Sequence, residues 1–272
     1  AAGHCPHIGY ATAVTTPDMH NRVSEAAARL RAADKAVAFT GAGLSTASGI
    51  PDFRSDGGIW DRYDPMDFHI RRFERDPDGF WKDRAAMVTE VYDGHDPNTA
   101  HDALASLEAD GYLDCTITQN VDGLHHAAGS DDPVTIHGTG SRVACRDCET
   151  RFDAEPYYEA VREGDVNGAP ACPTCDGTLK PDVVLFGEQM PFGPLNRART
   201  LARESDYFLV AGSSLSVEPA ASLPDLAADT GSTLVVVNLE ETQADERAEF
   251  VFHADVTDVL PALRAATTEA GR

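Results

Sequence analysis

Short apolar runs, separated by longer stretches of helical spacing, constrain the fold of this chain more than any other feature. The clearest runs are KAVAFT (Lys35 to Thr40), DYFLVAG (Asp206 to Gly212) and STLVVVN (Ser232 to Asn238), and we expect the last of them to be the final strand. Strands that are apolar on both faces are typical of parallel sheets covered by helices on each side. The sequence therefore predicts an α/β fold, a parallel sheet with helices on both faces.

The other elements follow from the same patterns, because strands and helices differ in the period of their apolar residues. Further strands or extended segments are predicted over 112–118, 134–136 and 183–186, and helices over 18–33, 98–109, 192–204 and 219–229. A polar, glycine-rich loop is predicted over 41–61 and a small helical insert over 65–94. Since no internal repeat and no low-complexity linker occurs, we expect a single domain with insertions.

The cysteines are grouped in a way that indicates a metal site. Four of the six form two C-x-x-C pairs: Cys145 with Cys148, and Cys172 with Cys175. Each such turn places two thiolates side by side, and two turns can close a tetrahedral zinc site with four sulfur ligands. Because no further ligand is evident, we expect one structural Zn²⁺, with a redox dithiol as the alternative. We interpret Cys5 as a free thiol of the tail and Cys115 as a buried strand residue.

A glycine loop, Gly41-Ala42-Gly43-Leu44-Ser45, directly follows the first predicted strand. Glycines at such a position let the turn close and let backbone N–H groups approach a pyrophosphate. The third glycine of the usual dinucleotide fingerprint is missing, since position 46 is Thr, so this loop alone leaves dinucleotide binding and an ordinary turn equally open. Just beyond the loop, Asp52, Phe53 and Arg54 supply a carboxylate, an aromatic ring and a cation, although their segment also fits a plain turn.

Polar residues also follow the later strands, at the point where each strand ends. They are Gln119, Asn120 and Asp122, then His137, then Gly212, Ser213 and Ser214, and finally Asn238, Leu239 and Glu240. Because the carboxyl ends of parallel strands share one edge, where open α/β sheets bind ligands, we predict one site there. His137 is the candidate base, although a single histidine at a strand end is more often only structural. His125 lies in a predicted helix, and we interpret it as packing.

Taken in order, these segments resemble the sirtuin family from about Lys35 to Val256. The resemblance is carried by GAGLSTASGIPDFR (41–54), TQNVDGLHHAAG (118–129), His137-Gly138, the cysteine pairs, PDVVLFGEQMP (181–191), GSSLSVEPA (212–220) and VVVNLE (235–240). It implies one catalytic domain over 18–260 with a Rossmann-like NAD-binding core at 35–64, 98–141 and 181–258. It also implies a helical insert at 65–97 and a zinc-binding insert at 142–180.

The resemblance implies an NAD-dependent protein lysine deacetylase, which consumes NAD and forms deacylated lysine, nicotinamide and O-acyl-ADP-ribose. In that reaction the acyl oxygen attacks the ribose carbon as nicotinamide leaves, and His137 acts as a general base toward a ribose hydroxyl. Asn120, the second catalytic residue by resemblance, and Asp122 hold the ribose and the nicotinamide carboxamide, and Phe53 covers the nicotinamide.

The binding residues are likewise those that the resemblance implies. For NAD they are Gly41, Ala42, Gly43, Ser45, Asp52, Phe53, Arg54, Gln119, Asn120, Asp122, His137, Gly212, Ser213, Ser214, Asn238, Leu239, Glu240 and Val256. The acylated lysine of a protein substrate is expected to bind as an extended strand, mainly through main-chain hydrogen bonds. The residues expected to bind it are Val184, Phe186, Gly187 and Glu188.

The helical insert bears on the choice of acyl group. Family members that prefer succinyl or malonyl groups carry a Tyr and an Arg three residues apart, where this chain has Trp81 and Arg84. Arg84 can meet a carboxylate, but Trp81 lacks the phenol oxygen that would share it, and core packing explains Trp81 equally well. We therefore predict mainly deacetylation. The alternatives are desuccinylation or demalonylation, mono-ADP-ribosyl transfer on the same NAD site, and a non-catalytic NAD-sensing or zinc interaction module.

The chain is strongly acidic, with 45 Asp and Glu against 22 Lys and Arg and a net charge of −23. At molar salt the screening length falls to about 3 Å, so the self-repulsion of such a surface largely disappears. We infer a salt-adapted host, a halophilic archaeon, with an ordinary acidic cytosolic protein as the alternative. The charge opposes direct nucleic-acid binding. Since no membrane-length apolar run and no signal-peptide pattern occurs, we expect a cytoplasmic protein without membrane contact.

The acidic surface generates a prediction about salt. We expect the thermal unfolding midpoint to rise between about 0.1 M and about 3 M KCl, because screening removes repulsion that opposes the compact state. Circular dichroism melts measure this, and a non-ionic solute at matched osmolality is the control because it does not screen charge. An unchanged or lower midpoint in molar KCl would contradict the salt-adapted interpretation.

Overall fold

The computed structural model describes residues 17–269, so Cys5 lies outside the described residues. The strands, in chain order, are β1 Ala36–Thr40, β2 Cys115–Thr118, β3 Val134–Thr135, β4 Gly138–Cys145, β5 Arg151–Asp153, β6 Leu179–Val183, β7 Tyr207–Ala211, β8 Thr233–Val237 and β9 Phe250–Phe252. Six of them form one sheet in the order β3-β2-β1-β7-β8-β9. Every neighbouring pair in this sheet is parallel, which confirms the predicted α/β fold.

Helices cover both faces of this sheet. They are α1 Pro17–Ala32, α2 Ile59–Arg62, α3 Ile70–Arg75, α4 Pro77–Val91, α5 Thr99–Ala109, α6 Leu124–Ala127, α7 Glu155–Glu163, α8 Phe192–Glu204, α9 Leu223–Asp229 and α10 Val256–Glu269. One apolar core joins α1, α5 and α10 to the sheet, and a second joins α8 and α9 to its other face. Successive strand residues point to opposite faces, so Leu209 of β7 enters the first core and Phe208 the second.

The strand order has one topological switch point, between β1 and β7. From β1 the chain moves to β2 and β3 on one side, and from β7 it moves to β8 and β9 on the other. The turns that leave β1 and β7 therefore diverge and open a crevice at the carboxyl edge of the sheet, where ligands of such sheets bind.

The predicted helical insert and the cysteine region share a third apolar core. Strands β5, β4 and β6 form an antiparallel sheet, in that order, which the sequence did not predict. Trp81 of α4 is fully buried in this core, and its indole N–H donates to the Leu179 carbonyl at 2.8 Å. Because residues of both segments pack in this one core, they are called the small module below.

One strand prediction was wrong. STLVVVN is not the last strand, because β9 follows it at the edge of the sheet. The sequence did not reveal β9, because a strand of three residues is too short to show a periodic pattern. The extended segment predicted at 183–186 is a strand only up to Val183, and Phe186 forms one isolated bridge to His69. The loop predicted over 41–61 contains 3₁₀ turns at Ala42–Leu44 and Thr46–Ser48, followed by α2.

The carboxyl-terminal part of the chain belongs to the main body of the fold. Helix α10 continues beyond residue 260, the predicted end of the domain, and packs against α1 and α5. Of the helices between residues 17 and 269, none combines the length and the apolar character that crossing a membrane requires.

Candidate active site

The crevice is built on close main-chain contact between the glycine loop after β1 and the turn after β7. A Cβ atom added to Gly41 or Gly43 would lie 2.8 or 2.9 Å from the Gly212 carbonyl oxygen, and one added to Gly212 would meet the Leu44 nitrogen at 2.3 Å. Gly212 also has φ of +61°, which side chains disfavour. Glycine is required at these positions because two backbones touch, which is a different reason from the approach to phosphate that the loop suggested.

The N–H groups in this contact are partly used within the protein. Gly43 N–H donates to the Gly212 carbonyl at 2.8 Å, and Gly41 N–H donates to Ala211 at 3.2 Å. Within residues 17–269, by contrast, no hydrogen bond engages the N–H groups of Ala42, Ser213 and Ser214. These three backbone donors are the ones left for an anion.

A chain of hydrogen bonds connects the ends of β1, β2 and β7. Asn120 donates from Nδ2 to the Gly41 carbonyl at 3.0 Å and to Ser45 Oγ at 3.2 Å, and Ser45 Oγ donates to Asp122 Oδ2 at 2.7 Å. Gln119 Nε2 donates to Ser213 Oγ at 2.8 Å. The structure thus brings together the predicted residues of three separate strand ends.

His137 lies two residues after the end of β3 and is partly buried. Its Nδ1 lies 3.0 Å from the Gln119 carbonyl oxygen, an acceptor, so the proton of the neutral ring sits on Nδ1. Burial lowers the pKa of His137 below its ordinary value, and this outweighs the opposing effect of the bond to Gln119. The ring is therefore neutral at neutral pH with the Nε2 lone pair unused, which is the state a general base requires.

Two further histidines lie beneath the glycine loop. His125 is buried on α6, as the packing interpretation expected, with Nε2 2.9 Å from Thr40 Oγ1 and its ring 5.1 Å from that of His101. Burial, together with His101 and His126, lowers the pKa of His125 to about 3. His101 accepts from the Asn98 N–H in a capping box that starts α5, and Asn98 donates to the Leu44 carbonyl at 2.8 Å. These neutral histidines fix residues at both ends of the glycine loop: His125 contacts Thr40, and His101 positions Asn98, which bonds to Leu44.

A cleft enclosing about 250 Å³ of free space, part of it open to solvent, lies over the glycine loop. Its lining includes predicted residues, which are Ala42, Ser45, Phe53, Asn120 and Asp122, and residues that we did not predict, which are Ile50, Pro51, Ile59, Tyr92 and Val121. Phe53 packs against Trp60 with ring centroids 5.2 Å apart. Tyr92 comes from the end of α4, and no local pattern in the sequence marks it as a lining residue.

Asp52 and Arg54 take different positions from Phe53. Asp52 accepts hydrogen bonds from the Arg54 and Ser55 N–H groups and from Ser55 Oγ, so its carboxylate closes the loop. Burial raises the pKa of Asp52, but these bonds and the nearby Arg54 charge outweigh it and hold the pKa below the ordinary value. Arg54 is exposed and does not line the cleft.

Several other predicted residues, after β7, β8 and β9, lie toward solvent or in the core. Asn238 donates from Nδ2 to the Glu240 carbonyl at 2.8 Å, and Leu239 is 59% exposed. Ser214 is exposed and lies 3.0 Å from Ser216, between the two hydroxyl oxygens. Val256 is buried in the core that α10 forms with the sheet, so its side chain is a packing residue.

Trp81 and Arg84, the two residues suggested to contact the acyl group, are buried in the small module. Trp81 is fully enclosed, so of its two interpretations the structure favours core packing. Arg84 is 5% exposed, with Nε 3.4 Å from Tyr158 Oη and its guanidinium carbon 5.7 Å from the centre of the Tyr92 ring. Among the described residues no carboxylate lies within 4.0 Å of Arg84.

The segment 184–188 is already partly paired, which limits the strand that could be added to it. Phe186 N–H donates to the Phe68 carbonyl at 3.2 Å, and its carbonyl accepts from Ile70 N–H at 2.9 Å, so the main chain of Phe186 is not available. The Glu188 carboxylate accepts from Lys180 Nζ and from Leu185 N–H, both at 3.0 Å. The Glu188 carboxylate therefore stabilises its own turn, and a contact of Glu188 with substrate stays a prediction for its main chain.

The four cysteines come together at one end of the small module. Their sulfurs all lie within 4.8 Å of one another, with 3.5 Å between Cys145 and Cys175 and 3.7 Å between Cys148 and Cys172. Sulfurs around a tetrahedral Zn²⁺ are about 3.8 Å apart, given a Zn–S distance of about 2.3 Å. The four thiols therefore fit a metal ion of this kind.

Fold and site together define a class: an α/β protein with a dinucleotide-type crevice and a four-cysteine module beside it. The family model described as "Sir2 family" matches residues 41–219. An "NAD-dependent protein deacetylase" of Haloarcula marismortui is 58% identical over 236 residues, which are 86% of this chain and 90% of that protein. The chain therefore belongs to the Sir2, or sirtuin, family.

Solved structures of the family agree. One Sir2 enzyme has a TM-score of 0.81 and 38% identity, and the match covers 93% of this chain and 100% of that one. A complex of Sir2 with a p53 peptide and NAD⁺ has a TM-score of 0.77 and 35% identity, over 91% of this chain and 98% of that one. The relative from Haloarcula, a halophilic archaeon, agrees with the salt-adapted host inferred from composition.

Proposed function

We propose that this chain removes acetyl groups from protein lysines in a reaction that consumes NAD. Its membership of the Sir2 family and its relative named as an NAD-dependent protein deacetylase support this reaction. The observation that carries the proposal is the orientation of His137. Its Nδ1–H is directed to the Gln119 carbonyl, so Nε2 is left to accept a proton, and Gln119 directly precedes Asn120 of the hydrogen-bond network with Ser45 and Asp122.

The residues at the crevice then have distinct roles in the proposed reaction. His137 takes the proton of a ribose hydroxyl on Nε2 after nicotinamide has left, while Asn120 and Asp122 hold the ribose and the carboxamide. The unused N–H groups of Ala42, Ser213 and Ser214 are suited to the pyrophosphate, since several backbone donors together favour an anion. Phe53 and the apolar lining of the cleft keep water from the reacting carbon.

The protein substrate adds as an extended strand beside residues 184–188. Since Phe186 is already paired on one side, the peptide uses groups that have no partner in the described part of the chain, such as the Val184 carbonyl and the Gly187 N–H. Main-chain pairing of this kind gives affinity with little dependence on sequence. A cytoplasmic location and the division into a core, a helical insert at 65–97 and a zinc insert at 142–180 stay predictions.

The first test is nicotinamide release from NAD in molar KCl, with and without an acetyl-lysine peptide. We expect peptide-dependent release with formation of O-acetyl-ADP-ribose, and a loss of about 10²-fold or more in His137→Ala, the usual size of a general-base effect. His20→Ala, an exposed histidine on α1, is the control. Release that does not depend on peptide would favour the transferase, and absence of release would favour a binding module.

The pH profile gives the same assay a second readout. Because the pKa of His137 lies below its ordinary value of 6.5, kcat/KM should be level from neutral pH down to about pH 6.5. Below it the ring takes up a proton and kcat/KM should fall, by about tenfold per pH unit. An acid limb with its midpoint above 7 would contradict the assignment of His137 as the base.

A second activity, removal of acidic acyl groups, is favoured by one observation. Arg84 is a buried guanidinium without a carboxylate partner in the described part of the chain, and burying an unpaired charge costs several kcal/mol. A succinyl or malonyl carboxylate would supply the missing anion. Arg84 contacts the Tyr92 ring, which lines the cleft, so it lies one side chain away from the site.

Matched acetyl and succinyl peptides separate the two activities. We expect deacetylation to be the faster, and Arg84→Met to lower desuccinylation by about tenfold or more while deacetylation changes little, because only the succinyl group meets the guanidinium. The control is Arg75→Met, an exposed arginine on α3. Faster desuccinylation by the unaltered protein would reverse the ranking, and equal losses in Arg84→Met would assign Arg84 to stability.

We further propose that the four-cysteine cluster holds one structural Zn²⁺. Such a site supplies folding free energy, so chelation should release about one zinc per chain and lower the unfolding midpoint. Cys148→Ala should do the same, whereas Cys115→Ala, which lies outside the cluster on β2, should keep its zinc. Elemental analysis decides, and protein purified without chelator that contains no zinc would contradict the assignment.

A further inference from the structure

Lys180 is a lysine in an unusual position for this chain. Only three of the 22 basic residues are lysines, and this one is 7% exposed, at the junction between the small module and the segment 184–188. Its ammonium donates to the Pro181 carbonyl at 3.0 Å, to the Val183 carbonyl at 2.6 Å and to Glu188 Oε2 at 3.0 Å. All three donors of the ammonium are therefore used, in a tetrahedral arrangement that the planar fork of arginine does not reproduce.

Glu188 links this ammonium to the backbone of the segment. The oxygen that accepts from Lys180 also accepts from Leu185 N–H at 3.0 Å, and Glu188 N–H donates back to the Leu185 carbonyl at 3.0 Å. Gly187 between them has φ of +75°. The result is a tight turn that the Glu188 carboxylate closes and that the buried Lys180 ammonium stabilises.

Arg146 of the cysteine region also approaches Glu188 but contributes less. Its nitrogen lies 3.5 Å from Glu188 Oε1 and its side chain is 42% exposed, and ion pairs of that kind are worth little. The Lys180 pair is shorter and its lysine side chain is 9% exposed, so its charges are less screened. Removing one partner of such a buried pair is the costly change.

The turn fixes the segment in register with the proposed base. Val184 N–H donates to the His137 carbonyl at 2.9 Å, and Phe186 is paired with Phe68 and Ile70. The Lys180–Glu188 turn is the third attachment of these five residues. Without it, the Val184 carbonyl and the Gly187 N–H lose their fixed direction, whereas the glycine loop and the Asn120 network are not touched.

We propose that the buried Lys180–Glu188 ion pair is a positioning device that holds residues 184–188 in the conformation that binds the acyl-lysine peptide. The inference rests on the proposed function. Neither residue touches substrate; both act through the main chain of the segment. Because the pair is buried, it keeps this role in molar salt, where the screening length of about 3 Å weakens exposed ion pairs.

Steady-state kinetics with an acetyl-lysine peptide tests the proposal. In Glu188→Gln, which keeps the shape and removes the charge, and in Lys180→Met, we expect KM for the peptide to rise by about tenfold or more, with kcat and KM for NAD within about threefold of the unaltered protein. The rise should be the same at about 0.5 M and about 3 M KCl. Zinc content and the unfolding midpoint are measured on the same samples.

Lys35→Met is the matched control. Lys35 pairs with Glu204 at 2.6 Å just before β1, at the end of the parallel strands opposite to the crevice, so its substitution should leave both KM values unchanged. An unchanged peptide KM in Glu188→Gln, equal rises in both KM values, or loss of zinc would overturn the proposal. If Lys180→Met does not fold, Glu188→Gln alone decides. An unaltered protein without peptide-dependent nicotinamide release would instead contradict the proposed function.

Discussion

The main-chain contact between the glycine loop and the turn after β7 is the constraint on which the rest of the site depends. The carbonyl of Gly212 accepts from Gly43, and no side chain fits between the two backbones. This contact sets the distance between the two halves of the sheet at the switch point. The Asn120 amide reaches the loop, and Gln119 reaches Ser213, only because those backbones are already in place.

Sequence alone predicted the sheet and its polar edge because both depend on local patterns. Apolar runs such as that of β7 are long enough to be recognised, and the residue after a parallel strand has a known position. The three residues of β9 carry no period, and in the antiparallel sheet β6 pairs with β4 from beyond β5 and α7. The pairing of the Glu188 carboxylate with Lys180 was not predicted, because the two residues are eight positions apart in a turn whose closure no motif marks. Tyr92 reaches the cleft through the packing of α4, which no motif encodes.

In a salt-adapted protein as acidic as this one, burial decides how much a polar contact is weakened by salt. Exposed pairs such as Arg29 with Glu249 are weak at low salt and weaker still when the screening length is about 3 Å. Contacts with little water around them keep their strength under the same conditions. The Ser45–Asp122 bond and the bond from His137 to Gln119 are part-buried contacts of this kind, so the geometry of the site does not depend on the charged surface.

His137 stands at the junction of the two parts of the molecule. It ends the extension of β3 in the main sheet, and the next residue, Gly138, begins β4 of the small module. Gly138 has φ of +78° and approaches β6 so closely that an added Cβ would meet the Asp182 carbonyl at 2.1 Å, so the chain turns sharply there. The ring of His137 is bonded to Gln119 on the side of the glycine loop, and its carbonyl is bonded to Val184 on the side of the segment 184–188. A displacement of either side therefore moves the base, which couples the two binding regions through a single residue.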